Sequence, residues 1–262
     1  FEGESPKEQA TLEAISDPDC GWFYRRSADA FKSIPGTPMA YWASDAIIRA
    51  FADGKPLKDI GVPRQGLATG ENEKFVRMWW EVCSSARIVD SSDLQTFWRE
   101  GGKWAPYNKG GEYRKWYGNN DLVLSFSRRS YETLSNQGNH LPSKKYYFKP
   151  SITWSAVSSG SIAFRYKLAG HVFDTKGSSI FAAQEKLLYL QGLCNSTTIQ
   201  NIADILSPTL DFSVGQIAIY PIIESDECKK TVLDLVQELR ELSKSDWDSF
   251  ETSWDFRRSP LI

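Results

Sequence analysis

An amphipathic helix in the last sixth of the chain places the strongest constraint on the fold. Residues 226–244 repeat apolar side chains at three- and four-residue spacing, which is typical of an α-helix with one buried face. Because such a face must pack against other elements, the helix belongs to a larger folded unit. The predicted buried face consists of Val232, Leu235, Val236, Leu239 and Leu242.

Other segments of the chain predict helices and short strands in one domain. Helical spacing recurs in three segments, 43–55, 182–196 and 197–207, and the first ends at Gly54. Runs rich in aromatic and β-branched residues predict strands. These runs are 74–82, 146–157, two strands within 161–181 joined near Leu168–Gly170, and a last strand in 211–223. Together they predict an α+β fold, in which a mixed β-sheet has flanking helices and a C-terminal amphipathic helix.

We expect three parts along the 262 residues. Residues 1–30 are acidic and predict a connector, residues 31–224 predict the main domain, and residues 225–262 hold the C-terminal helix and an aromatic tail. The first residues carry neither a Met nor a signal-peptide pattern, so we expect a piece of a longer protein. The tail 247–256 is too apolar to be free in solution, and we expect it to pack on a partner surface.

Composition excludes several classes of protein. The chain has no run of 18 apolar residues, so no membrane span is predicted. Four cysteines are far apart without a CxxC pair, and only His140 and His171 are present, so a zinc site is not expected. This pattern predicts free, buried thiols in a reducing cytoplasm.

Catalytic motifs are also missing from the sequence. Neither GxGxxG nor GxxxxGK[ST] occurs, and a GxSxG elbow is absent. The turn [DNS]PP[YF], with which amino-methyltransferases hold a flipped base, is absent too. No compact Asp/Glu/Lys cluster of the nuclease type is evident. His171 lies in an apolar strand, which favours a structural role, so we expect this chain alone to have no catalytic activity.

Positive charge is concentrated in the middle of the chain. Residues 101–176 hold twelve Lys or Arg against four Asp or Glu, a local net charge of +8. Since the whole chain has a net charge of −2, the remainder carries −10. This asymmetry indicates an anionic partner for the middle, with a merely solvated basic face as the alternative.

Three polar segments of this middle region combine the residue types that contact nucleic acids. Phosphates are bound by Lys, Arg and backbone amides, and base edges are read by Asn, Gln, Ser, Thr and the basic residues. Turn-rich residues 101–120, which we expect to be an ordered surface excursion, interleave basic residues with aromatic rings. The predicted phosphate contacts are Lys109, Arg114, Lys115, Arg128, Arg129, Lys144 and Lys149, and the predicted base readers are Asn108, Asn136, Gln137, Ser155 and Ser158, with Ser159 beside them.

Five long motifs resemble one family of enzymes. They are SIPGTPMAYWAS, PRQGLATGENEKFVRMWWEV, KWAPYNKGGEYRKWYGNN, YYFKPSITWSAVSSGSIAFRY and DWDSFETSWDF. From about Trp22 to Ile262 the chain resembles the C-terminal half of the adenine-specific DNA methyltransferases of bacteriophage-exclusion (BREX) systems, the PglX type. It is similar, more loosely, to TaqI-type specificity domains.

The resemblance implies a target recognition domain that binds double-stranded DNA. The family's catalytic domain, its S-adenosylmethionine cofactor and its NPPY motif would belong to a missing N-terminal region, and only the specificity role transfers to this chain. The loop QGLATGEN matches the family pattern QGLxTGxN, which implies that Gln65, Thr69, Gly70 and Asn72 face DNA. Phe75, Trp79 and Trp80 are expected to lock this loop to the core. A structural turn between strands is the alternative for this loop.

Other partners are compatible with the sequence. Other phage-defence subunits could bind the helix 226–244 or the tail, and phage proteins that mimic DNA could bind the basic surface. Ten Trp also leave open a carbohydrate- or protein-binding module in a larger assembly. A flat or acidic surface around Trp104 and Trp116 would favour a sugar-binding module.

Overall fold

The computed structural model describes residues 4–158, 160–207 and 209–259. Ser159, and the residues at either end of the predicted parts 1–30 and 225–262, lie outside these ranges. The chain forms two compact units, of which the first ends at Gly54 and the second begins at Lys55. The predicted boundaries after residues 30 and 224 therefore stay predictions. No helix among the described residues is long and apolar enough to cross a membrane.

The first unit contains two α-helices, α1 (Glu4–Ser16) and α2 (Asp45–Asp53). The Ser44 hydroxyl caps α2 by accepting a hydrogen bond from the Ile47 amide, and the Gly54 amide closes its last turn on the Ala50 carbonyl. The predicted helix ending at Gly54 is confirmed.

The second unit contains three small sheets. Its strands are β1 (Lys55–Pro56), β2 (Val62–Arg64), β3 (Val76–Met78), β4 (Trp104–Asn108), β5 (Leu122–Ser125), β6 (Ser151–Trp154), β7 (Phe164–Lys167), β8 (Val172–Phe173), β9 (Ser179–Phe181) and β10 (Pro221–Ile222). One sheet has the order β2-β9-β6-β7 and is antiparallel. Another has the order β3-β5-β4-β8, in which β4 and β8 are parallel, and β1 pairs with β10. The mixed sheet and the helices around it confirm the predicted α+β class.

The helices of the second unit lie between and after these strands. They are α3 (Asn72–Phe75), α4 (Leu94–Arg99), α5 (Arg128–Ser135), α6 (Gln184–Cys194), α7 (Thr197–Leu206), α8 (Val214–Ala218) and α9 (Asp226–Trp247). The helices predicted over 182–196, 197–207 and 226–244 are confirmed. Between β8 and the helices α4 and α5, aromatic side chains form the core, among them Phe97, Phe126, Phe148 and Phe173.

Several predicted strands differ in the structure. Segment 161–181 is not one hairpin, because β7 pairs with β6 whereas β8 pairs with β4, so the turn at Leu168–Gly170 carries the chain from one sheet to another. Segment 211–223 is mostly α8, which begins with a reciprocal capping box between Ser213 and Gln216. Segment 74–82 contains only the three residues of β3, followed by a 3-10 turn.

The buried face of α9 also differs from the predicted stripe. Val236 is buried, but Leu235 and Leu242 are more than half exposed. Arg240 is buried instead, with its guanidinium 3.8 Å from the centroid of the Tyr166 ring. A long basic side chain stacked on an aromatic ring can fill a core position as an apolar residue would.

Two further expectations need correction. Residues 101–120 are not a surface excursion, because they contain β4 and bury Tyr107 and Tyr117. Of the four free cysteines, only Cys194 is buried, whereas Cys83 and Cys228 are exposed. The aromatic tail does pack on the protein: Trp79 Nε1 donates to the Thr252 carbonyl at 2.8 Å.

Candidate nucleic-acid interface

The loop of residues 65–72 is held at the edge of the β8 strand. The Leu67 amide donates to the Phe173 carbonyl at 2.9 Å, and the Thr175 amide donates to the Leu67 carbonyl at 3.0 Å. Thr69 is buried, and its hydroxyl donates to Asn72 Oδ1 at 2.7 Å. Main-chain pairing therefore fixes the inner half of the loop, while Gln65, Gly70 and Asn72 remain exposed.

A second loop, residues 136–143, binds the first through its side chains. Asn139 bridges two main-chain groups, since its Oδ1 accepts from the Ala68 amide at 2.8 Å and its Nδ2 donates to the Gly66 carbonyl at 3.0 Å. Gln137 Nε2 donates to the Thr69 carbonyl at 2.6 Å, and Ser143 Oγ donates to the Gln65 carbonyl at 2.9 Å. We call these two loops, 65–72 and 136–143, the loop pair.

Glycines allow the two loops to touch backbone to backbone. A Cβ on Gly138 would lie 1.9 Å from the Ala68 carbonyl oxygen, and a Cβ on Gly66 would lie 1.9 Å from the Phe173 carbonyl oxygen. Both distances are far inside van der Waals contact, so only glycine fits at these two positions. The predicted glycine-rich loop is therefore built for close internal packing as well as for exposure.

Next to the loop pair, four cations lie over aromatic rings. The guanidinium of Arg128 is 4.6 Å from the Trp98 ring centroid, and Lys144 Nζ is 5.4 Å from that of Tyr131. The two rings touch edge to face, with centroids 5.3 Å apart. On the Tyr146 ring, Lys145 Nζ lies at 5.1 Å and the Arg64 guanidinium at 5.7 Å. We call Arg64, Arg128, Lys144 and Lys145 with the rings of Trp98, Tyr131 and Tyr146 the basic-aromatic surface.

The loop pair and the basic-aromatic surface are continuous. Arg64 directly precedes the first loop, and Lys144 directly follows the second. A depression of about 290 Å³ beside them is lined by Tyr131, Lys144, Lys145 and Lys149, with the Asp93 carboxylate also on its wall. That carboxylate caps α4 through the Gln95 and Thr96 amides, and these hydrogen bonds lower its pKa to about 2. Three segments far apart in sequence thus form one surface.

Arg114 and Lys115 have structural partners instead. Arg114 forms an ion pair with Asp246 of α9 and lies over the Trp247 ring at 5.2 Å. Lys115 Nζ donates to the Asn195 carbonyl at 2.9 Å, just after α6. The expectation that both are phosphate contacts is not supported by their positions, because they tie the segment 112–118 to the helices.

Asn108 and Ser155 belong to a buried polar network. Asn108 is 2% exposed, and its Nδ2 donates to Thr153 Oγ1 at 2.6 Å and to the Gly177 carbonyl at 2.8 Å. Ser155 Oγ donates to the Gly111 carbonyl and accepts from Arg165 Nη2 at 3.2 Å. In this conformation the Asn108 amide cannot read a base edge, which corrects the prediction.

The remaining predicted residues lie in between. Arg129 and Lys149 are exposed, and Lys109 is half-buried beside the Asn108 network. Asn136 is exposed at the end of α5, and its Nδ2 donates to the Glu132 carbonyl at 2.9 Å. Ser158 Oγ donates to the Ser161 carbonyl at 3.3 Å. Of the three aromatic residues expected to lock the first loop, Phe75 is buried but Trp80 is half exposed.

Arg64, Lys145 and Asn139 were not among the predicted site residues. Arg64 adjoins the predicted loop and Lys145 adjoins Lys144, so a wider window around those positions would have found both. Asn139 carries no comparable signal, because its bonds to Gly66 and Ala68 span more than 70 residues of sequence.

Two buried titratable groups lie apart from this surface. Lys167 donates from Nζ to the Lys149 carbonyl at 2.6 Å, and burial lowers its pKa to about 7. Burial, together with the nearby Lys167, lowers the pKa of His171 to about 3. A neutral, enclosed imidazole fits the structural role that the sequence predicts for His171. Within the described ranges, no three His, Cys, Asp or Glu side chains are grouped so as to hold a metal ion.

Comparison with known proteins identifies the class of enzyme to which the chain is related. No protein-family model matches the chain. It is 36% identical over 271 residues, all of its length, to the adenine-specific methyltransferase PglX of Lacticaseibacillus casei (strain Zhang). It is also 36% identical over 236 residues, 88% of its length, to the adenine-specific methyltransferase BrxX of Escherichia coli O9:H4 (strain HS).

These relatives confirm the predicted resemblance: the chain is homologous to part of adenine-specific methyltransferases of the BREX type. The chain spans only about a fifth of the length of the curated relatives it matches, 22% of PglX and 18% of BrxX.

Proposed function

We propose that this chain is the target recognition region of a site-specific adenine-N6 DNA methyltransferase in a phage-defence system. In this role it binds duplex DNA and selects the sequence, while transfer of the methyl group from S-adenosylmethionine takes place in another part of the complete protein. The target adenine is turned out of the helix toward that part, as in other enzymes that modify bases. The cytoplasm, where the DNA is, is the proposed location.

The observation that carries this proposal is the continuity of the loop pair with the basic-aromatic surface. A duplex needs cations along its phosphates and polar groups along its base edges, and both lie side by side here. The four cations are already ordered over the rings of Trp98, Tyr131 and Tyr146. Because ordering long side chains costs conformational entropy, cations held in place before binding lose less of it.

The same ring contacts weigh against a carbohydrate-binding module. Sugars bind by stacking on open faces of aromatic rings, but cations lie over Trp98, Tyr131 and Tyr146. Trp116, which the sequence suggested as a sugar platform, lines an apolar groove with Tyr189 and Leu239. A phage protein that mimics DNA would bind the basic-aromatic surface, and it would then compete with a duplex for it.

Removal of two surface cations tests the proposal. The variant Lys144→Ala/Lys145→Ala should bind a mixed-sequence duplex about tenfold more weakly at low salt, and the slope of log affinity against log salt should fall by about 2. Fluorescence anisotropy over a salt series measures both. The matched control is Lys58→Ala/Lys186→Ala, which removes the same charge from two other exposed lysines. Equal affinities and slopes for the two double variants would refute this surface as the duplex-binding site.

A further inference from the structure

The second loop of the loop pair has an unusual backbone. Gly138, His140, Leu141 and Ser143 all have positive φ, at 58°, 57°, 52° and 62°. For a residue other than glycine this conformation costs on the order of 1 kcal/mol, and it persists only where neighbouring contacts enforce it. Three such residues within four positions indicate a loop that is held in one shape.

Internal contacts account for that shape. Leu141 is only 2% exposed and anchors the loop in the core. The amides of Gln137 and Asn139 and the hydroxyl of Ser143 all bond to the main chain of the first loop. The side chains of Gln137 and Asn139 are therefore engaged within the protein, and they set the position of the first loop.

Other side chains of the loop pair stay exposed with free hydrogen-bonding capacity of known type. The Asn72 amide accepts through Oδ1 from Thr69, so its Nδ2 can donate to a base. The Asn136 amide donates through Nδ2 to the Glu132 carbonyl, so its Oδ1 can accept. His140 Nδ1 lies 3.3 Å from the Ser135 carbonyl, which can only accept, so a neutral ring carries its proton on Nδ1 and accepts at Nε2.

Charge separates base contact from phosphate contact in this element. The exposed tip of the first loop holds Glu71 and Glu73 with one cation, Lys74, which forms an ion pair with Glu71. Carboxylates repel phosphates, so the tip does not suit the DNA backbone. Donors and acceptors on short side chains suit the edges of bases in the major groove, where each base pair shows a distinct pattern.

We infer that the loop pair is the sequence-reading element of the proposed DNA-binding surface. Asn72, Asn136 and His140 read base edges, whereas Gln137 and Asn139 are positioning residues that hold the two loops in register. This inference rests on the proposed function. It assigns sequence selection to the loop pair and sequence-independent affinity to the basic-aromatic surface.

Selection from randomised duplexes tests this division of labour. The intact protein and its variants Asn72→Ala, Asn136→Ala and His140→Ala are each used to enrich bound duplexes, which are sequenced. Each variant should relax preference at one base pair of the enriched motif by about tenfold, with affinity for mixed-sequence DNA kept. The control is Asn201→Ala, which removes an exposed amide from α7.

A separate variant tests the positioning role. Asn139→Asp keeps an acceptor for the Ala68 amide but cannot donate to the Gly66 carbonyl. Preference should then relax at several base pairs together, while the slope of affinity against salt stays that of the unmodified protein. A purely structural role would instead weaken binding to all duplexes in proportion to the loss of folded protein, which the melting temperature reports.

The outcomes are distinguishable. If the unmodified protein enriches a motif and all three alanine variants enrich it with unchanged preference, the loop pair does not read sequence and only this inference fails. If the unmodified protein binds no duplex at all, the proposed function fails, and this inference fails with it.

Discussion

The basic residues of the chain's middle third divide into a surface set and an interior set. Arg128, Lys144 and Lys145 are exposed and lie over aromatic rings at the surface. Arg165 and Lys167 are 1% exposed and lie within the protein. Both sets contributed equally to the local charge of +8, yet only the surface set is available to an anionic partner.

The difference teaches that composition overstates a binding surface. A cation has the same formal charge whether it meets solvent or a carbonyl oxygen, and sequence counts it once in either place. Arg114 and Lys115 form an intermediate group, partly exposed but bonded to α9 and to the end of α6. Variants of the sets should separate their roles.

The largest effect is expected for Arg165→Ala. Arg165 lies between the Arg114 carbonyl, at 3.3 Å, and Ser155 Oγ, at 3.2 Å. Truncation leaves a cavity and two unpaired acceptors, so the free energy of unfolding should fall by about 3 kcal/mol. Urea denaturation measures this change. Arg129→Ala, at an exposed position of α5, should change it by less than about 0.5 kcal/mol. Similar losses for the two variants would contradict the division into sets.

A smaller effect, of opposite sign, is expected for Lys167→Met. The lysine contacts the Phe173 and Phe181 rings and the Lys149 carbonyl, so methionine fits its apolar surroundings. Removing the buried charge should raise the free energy of unfolding at pH 7 by about 2 kcal/mol.

The pH dependence sharpens this prediction. Folding lowers the pKa of Lys167 to about 7 from its ordinary value near 10.5, so between these values the unfolded chain binds more protons. Stability of the unmodified protein should therefore rise as pH increases from 7 to about 10, relative to Lys167→Met. A constant difference between the two proteins across this range would show that Lys167 is not charged by unfolding.

The smallest effect is expected for Arg114→Ala/Lys115→Ala. These side chains connect their segment to Asp246 and to the Asn195 carbonyl, in partly exposed contacts. The free energy of unfolding should fall by about 1 kcal/mol, with no change in the salt slope of DNA binding. A salt slope that falls by about 2 would instead move both residues into the DNA-binding set.

Several helices could be predicted from sequence because their causes are local. Apolar spacing and the cap at Ser44 determine α2, and the same spacing predicts α6, α7 and α9. Short strands were harder to predict, because three-residue strands such as β3 depend on pairing with distant partners. The turn near Leu168 was found, but the change of sheet that it makes depends on β4 and β6.

The candidate site divides in the same way. The QGLATGEN motif and the polar run at 136–139 were both visible in the sequence as separate segments. Their union depends on Asn139, whose bonds to Gly66 and Ala68 form only when β8 and α5 are in place. Asn108 shows the converse, since its neighbours in sequence resemble a contact loop while its neighbours in space enclose it.

By itself, the sequence determined the class of fold, the main helices and the relationship to adenine-specific methyltransferases, because spacing, caps and long motifs are properties of contiguous residues. Only the tertiary structure decided which cations reach the surface, and which polar loops meet. Burial and hydrogen bonding across sheets depend on residues far apart in the chain, and identical side chains acquire different roles according to what surrounds them.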